Sequence, residues 1–564
     1  MLKQLLLFLL TLLSLQATQM HPSNLPDEAQ LKKLIGHMLI VGFDGQKVDK
    51  NSSIVKDIQN YELGGVILFD KNYQDRTKQK NISSPKQLKE LTQTLKSFTK
   101  NELFIAIDQE GGKVARLKKK YGFTTAPSAK EVASLSAQEA QKLYKAQSKM
   151  LKDMGINLNF APIVDLAINP KNKVIVGLER SYGQSSDVLK YASIMIKEQE
   201  KEHIISALKH FPGHGSSMDD SHKGFVDITK SWSAEELRPY INLIRANKVD
   251  MIMTAHVFNK DIDKKYPATL SYATNTFILR KKLSYRGVIV SDDMQMSAIS
   301  KHYSLKESVK LAINAGVDIL LFGNQLAFQN TDILIDIIYK EVVSGTIPFS
   351  RILESNQRIE NLHTKNAIVQ TPIEFGEKRI ALTKEYIKTH YGLNVNDITI
   401  KPKAIVLHWT AIMKLRWCMN AMKKEVLSAK RKNIVKASLL NVSSQFLVER
   451  DGTIHQLMPD NWMARHVIGL NYSSIGVENI GGFENHLEDL TDAQVKANVK
   501  LVNYLKQKYP KIEYLLGHHE YLRMQKTPLW LELDANYRTH KDDPGKKFMK
   551  AVRAKLGHLH LREP

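Results

Sequence analysis

The sequence predicts an α/β protein, a (β/α)8 barrel of the TIM type followed by a smaller, mixed α/β domain. Three observations predict it. Continuous apolar runs alternate with amphipathic, lysine-rich stretches through residues 34–322, as in buried parallel strands joined by helices. Polar residues follow most of those runs, where a barrel collects its chemistry. After residue 374 the strand-like runs become shorter and less regular.

Eight apolar runs qualify as barrel strands, and an open doubly wound sheet is the alternative. They cover residues 34–43, 65–69, 103–107, 156–163, 204–208, 249–255, 287–290 and 317–322. The last six runs are followed by Asp108, Asp165, His210, His256, Asp292 and Asn324. Any one of these side chains could cap a helix. Six of them in phase favour an active site at the carboxyl rim of a barrel.

Composition and charge narrow the class of protein. The chain has 564 residues, which is too long for one hydrophobic core. Its formal net charge of +23 favours polyanionic partners. Because no nucleic-acid-binding module and no concentrated basic block are visible, we expect an anionic cell envelope and not nucleic acid; a merely solvated surface is the alternative. The single cysteine, Cys418, excludes an internal disulfide.

The N-terminus predicts export. Residues 5–17, LLLFLLTLLSLQA, follow one lysine and end at the small residue Ala17. This pattern is typical of a secretory signal peptide, and the run is shorter than the roughly 20 residues of a membrane-spanning helix. A buried first helix is the alternative. We expect a periplasmic protein without a stable span beyond this segment, divided into a signal peptide (1–19), a barrel (27–365), a linker (366–374) and a second domain (375–560).

The stretch 209–224, KHFPGHGSSMDDSHKG, combines three histidines and two adjacent aspartates with several glycines and a proline. Gly and Pro at this density predict an irregular loop, and its titratable groups suggest an active-site loop at the end of a strand. A polar surface loop is the alternative. The order KHFPGHG followed by DSH resembles the signature of family 3 β-N-acetylglucosaminidases of the peptidoglycan-recycling type. The resemblance covers about residues 27–363.

This resemblance implies a glycosidase that needs no cofactor and retains the anomeric configuration. Asp292 in VIVSDDM would be the nucleophile, and His222, polarised by Asp220, would be the acid/base. The sugar pocket implied by the resemblance consists of Asp108, Arg116, Arg180, Lys209 and His210. Lys113 stands where the family usually has arginine.

The second domain predicts a different pattern of elements. We expect strands at 404–407, 445–449, 453–458 and 475–478, and helices at 377–391 and 492–508. His408 and Glu478 stand at strand ends, while His518 and Asp543 come from two later segments. Two histidines and a carboxylate suit a catalytic zinc ion, but their long spacing equally fits scattered core histidines.

Six short motifs of this half occur in the order seen in zinc N-acetylmuramoyl-L-alanine amidases of the type 2 family, which this half resembles. They are HWTA, SSQFLVERDG, ARHVIG, SIGVENIGG, LGHHE and KDDPG. The resemblance, over about residues 374–556, implies a peptidoglycan-recognition-like fold. It also implies Zn²⁺ ligands His408, His518 and Asp543, the general base Glu478 and the oxyanion-stabilising Lys541. His466 would contact the muramyl group or, equally, support the site from the core.

Together the two resemblances imply an exported, bifunctional peptidoglycan hydrolase. One domain would remove β-1,4-linked GlcNAc from muropeptides or glycan ends, and the other would cleave the MurNAc–L-Ala amide with zinc-activated water. Two alternatives stay open. One is a wall-fragment binding protein with only one active domain, and the other is a broader exo-β-hexosaminidase.

Overall fold

The computed structural model describes residues 25–564 apart from positions 76, 100, 219–223 and 430. The chain divides into two compact units, with the boundary between Ile359 and Glu360. The predicted signal peptide lies outside the described residues, as do Asp220 and His222. Among the residues described, no helix combines the length and apolar character required to cross a membrane.

The first unit is a closed barrel of eight parallel strands, as predicted. The unit has ten strands among its described residues, of which the short pair β6 and β8 lies outside the barrel. In chain order they are β1 (Leu39–Gly42), β2 (Gly65–Ile67), β3 (Phe104–Ile107), β4 (Leu158–Asn159), β5 (Ile205–Phe211), β6 (Val226–Asp227), β7 (Met251–Thr254), β8 (Val257–Phe258), β9 (Val288–Asp293) and β10 (Ile319–Phe322). The order around the barrel is β1-β10-β9-β7-β5-β4-β3-β2. Every predicted run therefore contains or overlaps one barrel strand.

Helices surround these strands, and many begin at a serine that the sequence places as a cap. Ser128 and Ser136 each form a capping box with the glutamate three residues on, which satisfies backbone N–H groups at the helix start. The helices are α1 (Glu28–Gly36), α2 (Ser53–Tyr61), α3 (Pro85–Ser97), α4 (Ala129–Val132), α5 (Ala137–Asp153), α6 (Ser185–Lys201), α7 (Arg238–Arg245), α8 (Ser297–Ser300), α9 (Leu305–Ala315), α10 (Thr331–Val343) and α11 (Phe349–Ala367). A π-helix spans Ala273–Lys282.

Two barrel strands run further than the apolar pattern indicates. β5 continues to Phe211 and β9 to Asp293, so Lys209, His210 and Asp292 lie inside strands. The expectation that the loop begins at Lys209 is wrong, because backbone pairing continues there. The Val164 N–H donates to the Lys209 carbonyl at 3.0 Å, and the Ala255 N–H donates to the Phe211 carbonyl at 2.7 Å. These polar side chains are thus held by the barrel wall itself.

The second unit is built on a six-stranded mixed sheet in the order β11-β14-β13-β15-β12-β16. Its strands are β11 (Val369–Gln370), β12 (Ala404–Trp409), β13 (Phe446–Val448), β14 (Ile454–Gln456), β15 (Ser474–Asn479) and β16 (Tyr514–Gly517). The helices are α12 (Glu377–Tyr391), α13 (Leu415–Lys423), α14 (Lys432–Val435), α15 (Asp492–Lys508) and α16 (Lys546–Ala554). The predicted bounds of α12 and α15 are confirmed. Strand β11 lies within the segment that we interpreted as a linker.

Alternate residues of β12 face the two sides of this sheet. Ile405 and Leu407 pack in one apolar cluster, which contains side chains of α15 and α16. Ala404 and Val406 pack in another, which contains side chains of α12. By this alternation His408 belongs to the same face as Val406. On β15 the partner of His408 in the parallel register is Glu478, so the two polar side chains are neighbours at the carboxyl ends of adjacent strands.

Candidate active sites

A buried network of ion pairs occupies the barrel rim after β3 and β5. The Lys209 ammonium lies 2.9 Å from Asp108 Oδ1 and 2.8 Å from Glu110 Oε1, and its side chain is only 3% exposed. Arg116 donates to Asp108 at 3.0 Å. Arg180 makes two parallel bonds of 2.8 Å to the Glu110 carboxylate, the paired geometry that fixes both partners. One network therefore joins four residues of the predicted sugar pocket: Asp108, Arg116, Arg180 and Lys209.

The charges in this network stay ionised despite burial. Burial alone would raise the pKa of Asp108, but the cations of Lys209 and Arg116 outweigh it and hold that pKa well below its usual value. Burial likewise opposes ionisation of Glu110, and Arg180 and Lys209 lower its pKa in turn. The result is a rigid set of charged donors and acceptors at the mouth of the barrel.

A further carboxylate, that of the buried Asp165, organises the start of the loop after β5. It accepts the backbone N–H of His214 at 2.8 Å, and its Oδ2 lies 2.7 Å from Nδ1 of His210. Burial, followed by the neighbouring His210, lowers the pKa of His214 to about 4. The His214 ring is therefore neutral near pH 7, and its Nδ1 lies 2.7 Å from the Ser217 hydroxyl. His214 therefore stabilises the loop. His210 directly follows Lys209, a member of the ion-pair network, in the sequence.

Asp292 lies on β9, one residue beyond Ser291, which pairs with Thr254 of β7. Its Oδ1 accepts the Asp293 N–H at 2.8 Å. Asp293 uses its own carboxylate for structure, accepting the N–H groups of Gln295 at 3.1 Å and Gly323 at 3.2 Å. Since all carboxyl ends of a parallel barrel lie on one rim, Asp292 is on the same rim as the ion-pair network.

Three donors converge in the second unit. His408 Nδ1 lies 2.9 Å from His518 Nδ1 and 3.2 Å from Asp543 Oδ2, and His518 Nδ1 lies 3.0 Å from that same oxygen. All three side chains are buried. They come from β12, from the residue after β16 and from the loop before α16. The fold thus brings together the three residues that the sequence suggested as metal ligands.

Family models match both units. The model of the glycosyl hydrolase family 3 N-terminal domain matches residues 30–362, more than half of the chain. The chain belongs to glycosyl hydrolase family 3. The N-acetylmuramoyl-L-alanine amidase model matches residues 399–546. The chain is therefore a hydrolase with a family 3 domain and an amidase domain.

Two relatives of the family 3 domain carry the name β-hexosaminidase. One from Tolumonas auensis is 35% identical over 275 residues, covering 47% of this chain and 77% of that protein. β-Hexosaminidase A of Pseudoalteromonas piscicida is 38% identical over 282 residues, covering 47% of this chain; the chain spans only 46% of that relative.

Solved structures agree on the fold. A family 3 β-N-acetylglucosaminidase from Paenibacillus sp. str. FPU-7 superposes with a TM-score of 0.55 at 24% identity, covering 86% of this chain and 84% of that one. M tuberculosis LpqI superposes with a TM-score of 0.51 at 26% identity, covering 61% of this chain and 97% of that one.

The amidase donors fit a zinc ion. Two imidazoles and one carboxylate are a donor set that zinc takes in catalytic sites, where water occupies the fourth position. Glu478 supplies an independent observation, because its Oε2 is buried and has no hydrogen-bond partner among the described residues. Burial raises the pKa of Glu478 to about 7, although His408 opposes the shift. A hydrolytic metal site requires a general base next to the metal ligands, and the Glu478 carboxyl oxygen suits that role.

His466 packs behind one of these donors. Its Nδ1 lies 3.0 Å from Nε2 of His408, and its Nε2 lies 3.3 Å from the Ser474 hydroxyl. The Asn471 side-chain oxygen accepts the backbone N–H of His466 at 2.9 Å. Burial, then the two nearby histidines His408 and His518, lowers the pKa of His466 far below its usual value. In this arrangement the neutral His466 ring orients His408, the supporting position considered from sequence.

Lys541 lies two residues before Asp543 and is half-buried. Its charge lowers the pKa of Glu478 and of His518, each after larger effects led by burial. Lys541 is therefore electrostatically coupled to both Glu478 and His518.

Sequence reasoning did not single out Glu110. It stands in the segment IDQEGG directly after β3, and it joins Arg180 to Lys209. The visible signal was a second carboxylate two residues after Asp108 at a strand end. What could not be read from that signal is the pairing, since Arg180 and Lys209 are far away in the chain.

Proposed function

We propose that the chain is an exported, bifunctional peptidoglycan hydrolase. The family 3 domain releases terminal β-1,4-linked GlcNAc from muropeptides or glycan ends, with retention of configuration. The amidase domain hydrolyses the amide between MurNAc and L-alanine with the help of zinc. The observation that carries the proposal is the presence of two separately assembled polar sites, one around Lys209 and one around His408, in a single chain.

In the glycosidase reaction, the Asp292 carboxylate attacks the anomeric carbon while His222 donates a proton to the departing oxygen. A covalent glycosyl ester on Asp292 results. His222, polarised by Asp220, then removes a proton from water, which attacks the same carbon and frees Asp292. The position of Asp292 on the barrel rim supports this role. The roles of His222 and Asp220 rest on the sequence resemblance, since both residues lie outside the described part of the chain.

The ion-pair network suits recognition of an amino sugar. Asp108 and Glu110 offer acceptors to hydroxyl groups, and Arg116, Arg180 and Lys209 offer donors. These groups are already paired and at least partly buried, so little side-chain ordering remains when the sugar binds.

In the amidase reaction, His408, His518 and Asp543 would hold the zinc ion. When bound, zinc supplies Lewis-acid chemistry: it acidifies water and polarises an amide carbonyl. Glu478 accepts the proton of the attacking water at its unpartnered Oε2 and passes it to the departing amine nitrogen. The Lys541 ammonium offsets negative charge on the carbonyl oxygen. His466 keeps the His408 ring in one orientation.

Export is supported by the apolar N-terminal segment, and the wall as target by the net charge of +23. The two bonds are neighbours in one polymer, so joining the two domains keeps the product of one reaction near the other site. We infer that the protein works in the periplasm.

Mass spectrometry of products from purified muropeptides tests the proposal. The wild-type chain should release both GlcNAc and the peptide that begins with L-alanine. A chelator should abolish peptide release and leave GlcNAc release unchanged, because only the amidase site needs zinc. Release of neither product would overturn the proposal, and GlcNAc release from chitobiose as fast as from GlcNAc–MurNAc would favour a broader exo-hexosaminidase.

Two variants separate the domains within the full chain. Asp292→Asn should abolish GlcNAc release and leave amide cleavage intact. Glu478→Gln should lower amide cleavage by about 10²–10⁴-fold, the usual worth of a general base, while zinc content and GlcNAc release stay at wild-type values. Loss of both activities in either single variant would contradict two independent sites.

A further inference from the structure

Three aromatic side chains form an exposed cluster on the barrel rim. The Phe225 ring is 45% exposed; its centroid lies 5.2 Å from that of Phe258 and 5.8 Å from that of His302. Phe258 is half-buried and His302 is exposed. We refer to Phe225, Phe258 and His302 as the aromatic patch.

The patch belongs to the sector of the rim that carries the catalytic groups. Its members follow β5, β7 and β9, which are adjacent in the barrel order. Pairing of β6 with β8 fixes Phe225 beside Phe258, because each residue is within or next to that two-stranded sheet. Phe225 lies three residues after His222 in the sequence, and His302 lies ten residues after Asp292.

The patch differs in chemistry from the rest of the rim. The site around Lys209 is charged and largely buried, whereas the patch exposes nearly half of Phe225 and the side chain of His302 to solvent. Leaving aromatic faces exposed forgoes the free energy of burying them, and clustered exposed apolar groups commonly mark a binding surface. A sugar ring has an apolar face of C–H groups that fits a flat aromatic surface.

We propose that the aromatic patch binds the sugar on the reducing side of the scissile bond, the MurNAc ring of GlcNAc–MurNAc. This inference rests on the proposed glycosidase function. The charged network binds the GlcNAc that is removed, and the patch positions the departing sugar on the sector of the rim that carries Asp292. The patch therefore contributes to preference for the leaving sugar and not to the chemistry on GlcNAc.

Comparison of two substrates tests the role of the patch. GlcNAc–MurNAc places a sugar on the patch, whereas β-N-acetylglucosaminyl fluoride has the same GlcNAc and no second ring. Phe225→Ala in the full chain should lower kcat/KM for the disaccharide by roughly three- to tenfold, the scale of one aromatic contact. Hydrolysis of the fluoride should be unchanged, and Phe225→Tyr, which keeps a ring, should restore the disaccharide rate.

Phe277→Ala is the matched control. Phe277 is 47% exposed and lies in the π-helix Ala273–Lys282, so its loss should leave both substrates unaffected. Equal losses on disaccharide and fluoride in Phe225→Ala would overturn the proposal in favour of a purely structural role. An unchanged disaccharide rate would also overturn it.

A binding measurement keeps this test separate from the proposed function. In an Asp292→Asn background, calorimetry should show that Phe225→Ala weakens binding of GlcNAc–MurNAc by a similar factor and leaves binding of free GlcNAc unchanged. Equal affinity with and without Phe225 would reject the patch. Failure of the wild-type chain to cleave either substrate would instead contradict the glycosidase function, while this binding result would still decide the patch.

Discussion

Glu236 illustrates how a single buried residue can control the loop that follows β5. Its side chain is 1% exposed, and its Oε2 accepts the Gly215 N–H at 2.7 Å. Gly213, at φ +121°, leaves the space that this side chain fills, because a Cβ there would lie 2.5 Å from Glu236 Cβ. Burial raises the pKa of Glu236 to about 7. The loop is therefore fastened by a carboxyl group that titrates near neutral pH.

This pKa predicts a pH-dependent stability. The folded chain holds the Glu236 proton up to about pH 7, whereas an unfolded glutamate releases it near pH 4.3. Wild-type stability should therefore fall as pH rises between these values, by about 4 kcal/mol in total. Glu236→Gln removes this dependence, so the stability of the variant relative to wild type should rise between pH 5 and pH 7. Urea unfolding of the barrel in both proteins at several pH values measures this difference in stability.

Glu235→Gln provides the control for that series. Glu235 is adjacent in sequence, but its side chain is 53% exposed and pairs with Arg238 at the surface. The difference in free energy of unfolding between Glu235→Gln and wild type should stay constant between pH 5 and pH 7. A constant difference for Glu236→Gln as well would show that the buried carboxyl group does not couple folding to protonation.

At the scale of elements, strands β12 and β15 decide the geometry of the amidase site. Gly476 precedes Glu478 by two residues on β15, so both face the same side of the sheet. A Cβ at Gly476 would lie 2.6 Å from Cγ of His466. The absence of a side chain at this position is what allows the His466 ring to lie against His408.

Gly476→Ala should therefore weaken zinc binding without touching a ligand. The new methyl group would displace His466, and loss of such an orienting contact usually costs about 10–100-fold in metal affinity. Competition with a chromogenic chelator measures this directly. Gly557→Ala, at a position with nothing within 4 Å of the added Cβ, should bind zinc like wild type. Wild-type affinity in Gly476→Ala would exclude an orienting role for His466.

The element scale also shows where sequence patterns succeed. The eight barrel strands and the helices α12 and α15 were predictable because burial of a strand or of one helix face leaves a local periodic record. The ends of β5 and β9 were not, since pairing continues through Lys209 and Asp292 after the apolar pattern stops. Polar residues on a strand are indistinguishable from loop residues until the partner strands are known.

At the scale of the whole molecule, charge is the property most directly tied to the substrate. A net charge of +23 produces a field that attracts polyanions and that salt screens over about 10 Å at 0.1 M. This field should attract an anionic muropeptide to the protein, whereas it should have no such effect on neutral chitobiose.

We therefore predict that kcat/KM for GlcNAc release from anionic muropeptides falls about tenfold or more between 0.05 and 0.5 M salt, within the range known for electrostatic steering. The rate on chitobiose should stay nearly constant. Steady-state kinetics on both substrates over this range provide the measurement. An equal decline on both would indicate a general effect of salt on the protein and would contradict steering.

The sequence by itself determined the two-part architecture, the order of strands along the chain and, through its motifs, the candidate metal donors and the candidate nucleophile. These features depend on local periodicity or on short ordered words. The tertiary structure alone decided that Glu110 joins Arg180 to Lys209, that His466 supports His408 and that Phe225 meets Phe258 and His302. Such relations depend on distances between residues far apart in the chain and on the burial that gives them their energy, and neither is present in any local pattern.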